Sequence, residues 1–469
     1  MTFLVHRWLG IAIALLMALW TLSGFVMMYV SYPETTAAER VAGLAPLDLS
    51  ACCAEAFLPG GAKIEAASVE MLRGEPVLRW SGPEGAGLVS LSRAATPRIG
   101  AREAGEIARA HMRRAFGAAP PVRVTPVEVD QWTLQQQRYA PLYRAGFADE
   151  RGTVLYVSGL TGEVVQDTHR TERFWNWLGA VPHWLYFTPL RKDGALWSNV
   201  VIYASLLGVF LTLTGLYVGL RMYGRGKRKS PFRGVALWHH WTGLIFGLVT
   251  LTWVFSGLAS MQPWGWLESA GPGAEQQALA GRPLEARDVT ALYTALAARP
   301  QARPETPVVS AEVAVQGGKA YAILVRADGS RARAALPGLA PAAPDGAELA
   351  AMARAARPGT PIAMQGPIAE GDAYHFGHHS TPALLPAYRA IYGNAEGTRL
   401  YLDPRTGEVI DYVDSASRGF RWWHLALHRL DLPGLRARPL WDLVTLPLLA
   451  GVALVCLLGT WIGWRRLRR

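Results

Sequence analysis

The stretch HRWLGIAIALLMALWTLSGFVMM, residues 6–28, occurs a second time as HHWTGLIFGLVTLTWVFSGLASM, residues 239–261. Both copies begin with histidine, carry a Trp-x-x-Ser-Gly motif and end with methionine. Each is apolar over the roughly 20 residues that a helix needs to cross the hydrocarbon core of a bilayer. The sequence therefore predicts a membrane protein with an internal duplication.

The duplication continues beyond these helices. A shift of 245 residues aligns the two Thr-Gly-Glu-Val motifs at 161–164 and 406–409, and then His183 with His428. Each copy is therefore predicted to contain a helix, an outer domain and a second helix. Because each copy holds an even number of spans, both copies have the same orientation, and their pseudo-twofold axis runs along the membrane normal.

The composition agrees with a membrane location. Hydrophobic residues make up 51% of the 469 residues and charged residues 18%, and the net charge is +11. Many of the basic residues cluster in 221–233 and at the C-terminus, beside apolar runs. Membrane topology and anionic lipid headgroups explain such clusters better than nucleic acid does. We therefore expect both termini in the cytoplasm and the two long segments outside, in the periplasm of a Gram-negative bacterium.

The predicted spans are uncharged and follow the hydropathy of the chain: Trp8–Val30, Trp197–Leu220, Trp241–Met261 and Leu443–Trp464. The corresponding division of the chain comprises four transmembrane segments, two outer domains and one basic loop. In chain order these are 1–30 (first span), 31–196 (outer domain), 197–220 (second span), 221–236 (basic loop), 237–261 (third span), 262–440 (outer domain) and 441–469 (fourth span and basic tail).

The outer segments show the patterns of small α+β domains. Thr153–Val157 and Thr398–Leu402 each read as a strand that ends at a Gly-containing turn and resumes at Glu-Val. Residues 101–115 have apolar residues at helical spacing and are predicted to form one helix. Residues 32–60 and 270–305 are expected to be irregular.

Two of the pairs matched by the duplication are histidines: His6 with His239, and His183 with His428. Imidazoles that approach a pseudo-twofold axis from opposite sides form the arrangement that a six-coordinate haem iron needs. His240 competes with His239 for the first pair, although the alignment favours His239. The alternative is that these histidines meet headgroups or water at the membrane surface.

One cluster has no histidine counterpart in the first copy. It is Tyr374-His375-Phe-Gly-His378-His379, and a further unmatched histidine, His424, lies one helical turn before His428. An added polar cluster on one copy of a duplicated scaffold is a candidate site for a substrate or a metal. The alternative is a solvated loop, because His-x-x-His-His on a loop is a weak metal signal.

The sequence resembles the PepSY-associated transmembrane proteins, a family that includes bacterial inner-membrane ferric-siderophore reductases. The resemblance rests on motifs spread over nearly the whole chain, with the two TGEV turns similar to the PepSY strand-turn signature. These motifs are His6-Arg-Trp-Leu-Gly10, Trp20-Thr-Leu-Ser-Gly24, Gly179-Ala-Val-Pro-His-Trp-Leu-Tyr186, Trp238-His-His-Trp241, Trp253-Val-Phe-Ser-Gly257, Leu427-His-Arg-Leu-Asp431 and Arg438-Pro-Leu-Trp-Asp442.

The resemblance implies a polytopic α-helical membrane protein of the bacterial inner membrane, with four transmembrane helices in two repeats and a PepSY-like α+β domain in each. It also implies two haem b groups that pass electrons to an iron chelate, most simply a ferric siderophore, in the periplasm. The haem ligands carried over from the motifs are His6, His239 or His240, His183 and His428. Tyr374, His375, His378 and His379 are then expected to form the surface where the substrate is reduced.

Two further points follow for the mechanism. The sequence has no Gly-x-Gly-x-x-Gly in a βαβ unit and too little cytoplasmic chain to hold a flavin domain, so the electrons must come from membrane quinol or a soluble reductase. Two other functions remain open, a non-enzymatic interaction or regulatory role of the PepSY-like domains and a transporter of iron or its chelate. Against transport, none of the four spans contains a charged residue or a convincing break.

Overall fold

The structure is a computed structural model, and it describes residues 1–50, 52–53, 63–93, 95–225, 229–298, 306–377 and 382–468. These residues form two compact units. The helical unit comprises Met1–Tyr32, Thr171–Ser269 and Ser415–Arg469, and the sheet unit comprises Pro33–Arg170 and Ala270–Asp414.

In chain order the helices are α1 Thr2–Met27, α2 Ala37–Gly43, α3 Ala101–Phe116, α4 Arg170–Leu178, α5 Ala180–His183, α6 Thr188–Arg191, α7 Gly194–Met222, α8 Val235–Ser260, α9 Gly273–Ala280, α10 Ala286–Ala298, α11 Gly346–Ala356, α12 Ser415–Phe420 and α13 Leu440–Leu467. Short 3₁₀ turns lie at Gln137–Tyr139 and Pro263–Gly265, and a π-helical turn at Arg421–Ala426.

The strands follow in the same way: β1 Ala66–Leu72, β2 Glu75–Gly82, β3 Gly85–Ser90, β4 Val122–Val127, β5 Leu142–Phe147, β6 Val154–Ser158, β7 Val164–Thr168, β8 Val308–Gln316, β9 Lys319–Arg326, β10 Arg331–Ala335, β11 Ala340–Pro341, β12 Ile362–Ile368, β13 Ala387–Tyr392, β14 Arg399–Leu402 and β15 Val409–Val413.

In the helical unit, α1, α7, α8 and α13 are the helices that are long and apolar enough to cross a membrane. They pack as a ring in which α1 and α8 each contact both α7 and α13. Their shared core includes Ile13, Met17, Leu211, Val452 and Cys456. Each helix begins a few residues before the predicted span, because the hydrogen-bonded ladder continues past the uncharged stretch into its flanks. The four predicted apolar helices are therefore present.

The duplication is visible in the contacts that position the second helix of each copy. Trp197 at the start of α7 donates its indole N–H to the Trp184 carbonyl at 2.8 Å. Its counterpart Trp441 at the start of α13 donates to the Arg429 carbonyl, also at 2.8 Å. In each copy the same bond thus ties the segment that carries His183 or His428 to the helix that follows it.

In the sheet unit, a seven-stranded sheet has the order β11-β10-β9-β8-β1-β2-β3. Its centre is the antiparallel pairing of β1 with β8, in which Val69 lies opposite Ala311. Both residues are fully buried, and α10 covers them with Val289 and Leu292. This sheet therefore takes strands from both of the long segments that the sequence places between spans.

Two four-stranded antiparallel sheets, β4-β5-β6-β7 and β12-β13-β14-β15, repeat one design. A helix packs on each, α3 on the first and α11 on the second. Gly162 and Gly407, with φ of 67° and 75°, occupy the Thr-Gly turn in each sheet, a conformation that glycine adopts without steric cost. The predicted strand-turn-strand pattern around both motifs is confirmed, as is the predicted helix at 101–115.

Two expectations are wrong. The class "polytopic α-helical membrane protein" does not describe the chain, because its described residues are mixed, with 45% helix, 20% strand and three antiparallel sheets; the long segments between the apolar helices contain sheets of substantial size. The ranges 32–60 and 270–305 are not simply irregular, since they contain α2, α9 and α10. In α10 the buried residues Val289, Leu292 and Leu296 follow helical spacing.

Candidate functional site

The first matched histidine pair lies inside the helix ring, at the end that carries both chain termini. His6 is on the first two turns of α1 and His239 is at the corresponding place on α8. Their ring centroids are 6.4 Å apart and their planes differ by 24°. Two positions separated by 233 residues are thus brought close together by helix packing.

Each of these imidazoles is held by a backbone carbonyl of the neighbouring helix. His6 Nδ1 is 3.1 Å from the Leu211 oxygen on α7, and His239 Nδ1 is 3.2 Å from the Val455 oxygen on α13. Because a carbonyl oxygen only accepts, Nδ1 must carry the proton in both rings, and Nε2 is left with a lone pair. This tautomer and this anchoring are typical of metal-ligating histidine.

The second matched pair, His183 and His428, lies at the opposite end of the ring. The ring centroids are 5.9 Å apart, with planes inclined by 65°. His183 Nδ1 donates to the Trp20 carbonyl at 3.0 Å, and His428 Nδ1 donates to the Trp253 carbonyl at 3.1 Å. Their Nε2 atoms are likewise the unprotonated nitrogens.

A serine completes each of these outer contacts. Ser23 Oγ lies 3.1 Å from His183 Nδ1, and Ser256 Oγ lies 3.1 Å from His428 Nδ1. Both serines belong to the repeated Trp-x-x-Ser-Gly motif, so that motif supplies the carbonyl and the hydroxyl that orient the outer histidine. The sequence showed the motif twice but gave no indication that it served the histidines.

Glycines create the space beside all four rings. A Cβ at Gly215 would lie 2.7 Å from His6 Cε1, and one at Gly459 would lie 3.1 Å from His239 Cε1. At the other end, a Cβ at Gly24 or Gly257 would meet His183 or His428 at ordinary distances of 3.9 and 3.6 Å. A side chain opposite His6 or His239 would therefore be tight, while one opposite His183 or His428 would make ordinary contacts.

A cavity of about 710 Å³ contains the first pair. Its walls are mostly apolar and include glycines from α1, α7, α8 and α13, among them Gly10, Gly215, Gly243 and Gly459. Its volume lies within the range of roughly 300–1,000 Å³ that is typical of cofactor and ligand pockets. The cavity is thus large enough for a flat organic cofactor between the imidazoles.

His240 uses its nitrogens differently. Its Nε2 is 2.8 Å from the Gly219 carbonyl and must donate to it, and its Nδ1 is 2.9 Å from Ser230 Oγ. With both nitrogens engaged inside the protein, His240 ties the 229–234 segment to the end of α7. His239, not His240, offers a free lone pair to the cavity.

His424 joins the outer pair as a third imidazole. It stacks on His428 with centroids 5.1 Å apart and donates from Nδ1 to the Ser256 carbonyl at 2.9 Å. It lies in the π-helical turn Arg421–Ala426, a helix type that is rare and occurs often at functional sites. In the described part of the chain, however, no three His, Cys, Asp or Glu side chains are arranged around a metal position.

The matching position in the first copy explains why only the second copy has a third imidazole here. Gly179 takes the place of His424, and a Cβ there would lie 2.8 Å from Val26 Cγ1. The counterpart of Val26 in the second copy is Ala259, which is fully buried. The smaller side chain on α8 therefore leaves room for a residue larger than glycine.

The unmatched polar cluster lies in the sheet unit. His375 donates from Nδ1 to Asp411 and from Nε2 to the Leu384 carbonyl, both at 3.0 Å, and stacks on Tyr401 with centroids 4.8 Å apart. The Tyr374 ring lies 4.4 Å from the Arg399 guanidinium carbon. His378 and His379 lie outside the described residues.

Burial by itself lowers the pKa of His375, but the hydrogen bonds to Asp411 and Leu384 outweigh it and raise the pKa above its usual value of 6.5. Neighbouring Asp372 accepts from the backbone N–H groups of Tyr374 and His375 and from Arg389 and Tyr401. Despite its partial burial, these donors lower the pKa of Asp372 to about 2. Asp372, which the sequence did not single out, thus fastens this loop to the sheet.

The fold and the site define a class: a membrane protein in which a duplicated ring of four apolar helices presents paired histidines. The same chain also forms a second unit, which is built of antiparallel sheets. More particularly, the chain belongs to the family described as PepSY-associated TM region, which matches residues 3–378. The family resemblance inferred from the motifs is therefore confirmed. A comparison with curated proteins finds no match.

Proposed function

We propose that this protein is a haem-b oxidoreductase of the bacterial inner membrane that passes electrons across the membrane to a periplasmic ferric siderophore. The observation that carries the proposal is the backbone-anchored histidine pair at each end of the helix ring, with Nδ1 protonated and Nε2 unprotonated in all four rings. His6 with His239 would hold one haem and His183 with His428 the other.

The spacing of the rings supports a metal between them. Two imidazoles that held one metal ion through their Nε2 atoms would have ring centres roughly 6 Å apart, because a metal–imidazole bond is about 2.0 Å long. The two pairs have 6.4 and 5.9 Å. Imidazole is a suitable ligand for iron.

Two buried polar atoms also support a polar cofactor in the ring. The indole nitrogens of Trp20 and Trp253, which are counterparts in the repeat, are buried and have no hydrogen-bond partner among the described residues. A buried N–H group without a partner is uncommon in native structures and calls for a specific explanation, such as a ligand. These two donors belong to the same residues whose backbone carbonyls hold His183 and His428.

When bound, haem supplies a centre that accepts and releases one electron at a time. The chain's own part is to fix the imidazoles: the carbonyls of Leu211, Val455, Trp20 and Trp253 keep each ring in one tautomer and one orientation. A ligand held in this way does not need to reorganise when the charge changes, which favours rapid electron transfer.

At the substrate, one electron converts the Fe(III) of the siderophore to Fe(II). The lower charge weakens the bonds to the hard oxygen ligands, so iron can leave while the chelator stays intact. Tyr374 and His378 and His379 would line the surface where the chelate docks. His375, with both nitrogens engaged, would act there by holding the loop and not as a proton donor.

The proposed function needs a defined orientation in the membrane. Because basic residues concentrate at the end of the ring that carries both termini, that end would lie in the cytoplasm, and the two long segments between spans would lie in the periplasm. The primary electron donor would be membrane quinol or a soluble reductase, because the chain lacks a dinucleotide-binding fingerprint.

The test is spectroscopic and begins with the purified full-length protein in detergent. A Soret band that shifts with dithionite, and that disappears when His6, His183, His239 and His428 are all replaced by Ala, is the expected result. Anaerobic mixing of the reduced protein with a ferric siderophore should then restore the oxidised spectrum as Fe(II) is captured by a ferrous chelator. A protein that binds no haem, or whose haem survives the four replacements, would refute the proposal.

A further inference from the structure

The cavity around His6 and His239 has a charged end as well as an apolar interior. Four arginines line it: Arg7, Arg233, Arg465 and Arg466. No Asp or Glu is among the described residues that line it. The cavity thus combines a mostly apolar interior with a cluster of cations, and the described lining residues provide no negative charge to balance them.

Arg7 shows most directly that a partner for these cations is missing from the described lining. Its Nε is buried and has no hydrogen-bond partner within the described chain, and its guanidinium lies against the Trp8 ring, 5.4 Å from the centroid. A buried guanidinium nitrogen without an acceptor is costly. The atom therefore points to an anionic ligand at this end of the cavity.

The helix packing brings the other arginines to the same place. Gly463 on α13 lies against α1, and a Cβ there would be 3.6 Å from Ile11 Cα and 3.9 Å from the Gly10 oxygen. Because α1 and α13 are this close and run in opposite directions, Arg7, one turn before Gly10, and Arg466, one turn after Gly463, occupy the same end of the cavity.

We infer that Arg7, Arg465 and Arg466 bind the two propionate carboxylates of the porphyrin and so fix its orientation between His6 and His239. The inference rests on the proposed haem function and adds to it the residues that recognise the acid edge of the ring. Arginine forms charge-assisted, often bidentate, hydrogen bonds with carboxylates. The porphyrin's apolar body would occupy the glycine-rich interior.

The duplication shows that most of this charge lies on one side, since Arg7, Arg465 and Arg466 belong to α1 and α13, while Arg233 precedes α8. The counterpart of Arg7 is His240, which is held by Ser230 and Gly219, and the counterpart of Arg465 is Arg221, which does not line the cavity. A dicarboxylate with both acid groups on one edge suits a cavity in which three of the four lining arginines lie on one side of the pseudo-twofold axis. The competing explanation is that these arginines meet phospholipid phosphates, as basic residues at helix ends commonly do.

The experiment compares two porphyrins. The full-length protein carrying His183→Ala and His428→Ala, purified without haem, is titrated with iron protoporphyrin IX and with its dimethyl ester, which lacks both negative charges. The Soret change gives a dissociation constant for the His6/His239 site alone. The acid form is expected to bind about tenfold or more tightly than the ester, as the loss of charge-assisted hydrogen bonds implies.

Arg7→Gln, and Arg465→Gln with Arg466→Gln, should weaken binding of the acid form and leave the ester unchanged, so that the preference disappears. Arg221→Gln is the matched control and should keep the preference. Thermal midpoints of the haem-free variants check that the chain is folded.

Equal affinity for acid and ester in the protein that retains all its arginines would overturn the inference and favour lipid phosphate as the arginines' partner. So would Gln variants that keep the full preference. If neither porphyrin gives a Soret change, the proposed haem site at His6 and His239 itself fails, and the two failures are therefore distinguished.

Discussion

Gly215 of α7 lies directly beside His6 of α1, so close that a Cβ on the glycine would be 2.7 Å from His6 Cε1. The pair recurs in the second copy as Gly459 and His239, at 3.1 Å. The histidine reaches the Leu211 carbonyl only because nothing projects from position 215. A glycine on one helix thus determines where the imidazole of another can lie.

Replacing Gly215 by Ala should displace His6 and lower haem affinity at the termini end by roughly 5- to 150-fold, because overpacking of this kind costs about 1–3 kcal/mol. Haem transfer to apomyoglobin measures the loss. Gly194→Ala is the control, since at the far end of the same helix its Cβ would meet only Arg191 Nη1 at 3.6 Å. An unchanged transfer rate in Gly215→Ala would contradict the assignment of His6.

His239→Ala should remove one haem, whereas His240→Ala should keep the full haem content and lower only the thermal midpoint. The reason is that both ring nitrogens of His240 are hydrogen-bonded, one to Ser230 and the other to the Gly219 carbonyl. A pyridine haemochrome assay on protein of known concentration counts the haems. The reverse result, with haem lost in His240→Ala and kept in His239→Ala, would show that the repeat alignment assigns the wrong residue.

Gly179→Ala should destabilise the protein by about 1–3 kcal/mol, because the new methyl would collide with Val26 and approach the Trp175 carbonyl. Val26→Ala in the same chain should restore part of the loss, since it recreates the alanine found at Ala259. Thermal midpoints in detergent for the two single variants and the double variant give the coupling. Purely additive effects would argue against the proposed origin of the asymmetry at His424.

The loop held by His375 should become less protected as pH rises. The pKa of His375 is raised in the folded protein, so its contribution to stability is complete below about pH 6.5 and is lost as pH increases through the folded pKa. Hydrogen exchange of 371–377, corrected for the intrinsic effect of pH, measures the opening of this loop.

Asp411→Asn removes the carboxylate that His375 faces and should reduce this dependence on pH. Asp372 provides a contrast, because its lowered pKa makes its contribution present above about pH 4 and lost only as pH falls towards 2. Exchange that does not change between pH 6 and 9 in the unsubstituted protein would contradict the role given to His375.

Much of the helical unit could be predicted from the sequence. Apolar length identified the four helices, and the spacing of repeated residues paired His6 with His239 and His183 with His428. Both signals are local or periodic, so they can be recognised without knowledge of the tertiary structure. The Thr-Gly turns and the strands beside them were equally visible, since alternation and a glycine with positive φ are properties of a few neighbouring residues.

The sequence by itself thus determined the duplication, the apolar helices and the candidate ligands. The tertiary structure decided which nitrogen each ring presents, that His240 is engaged elsewhere, that β1 pairs with β8 across more than two hundred residues, and that Arg7, Arg465 and Arg466 share one end of a cavity. These facts depend on how helices and strands rotate and pack against distant partners. Residue type and spacing set what each element can present, but only packing sets what it meets.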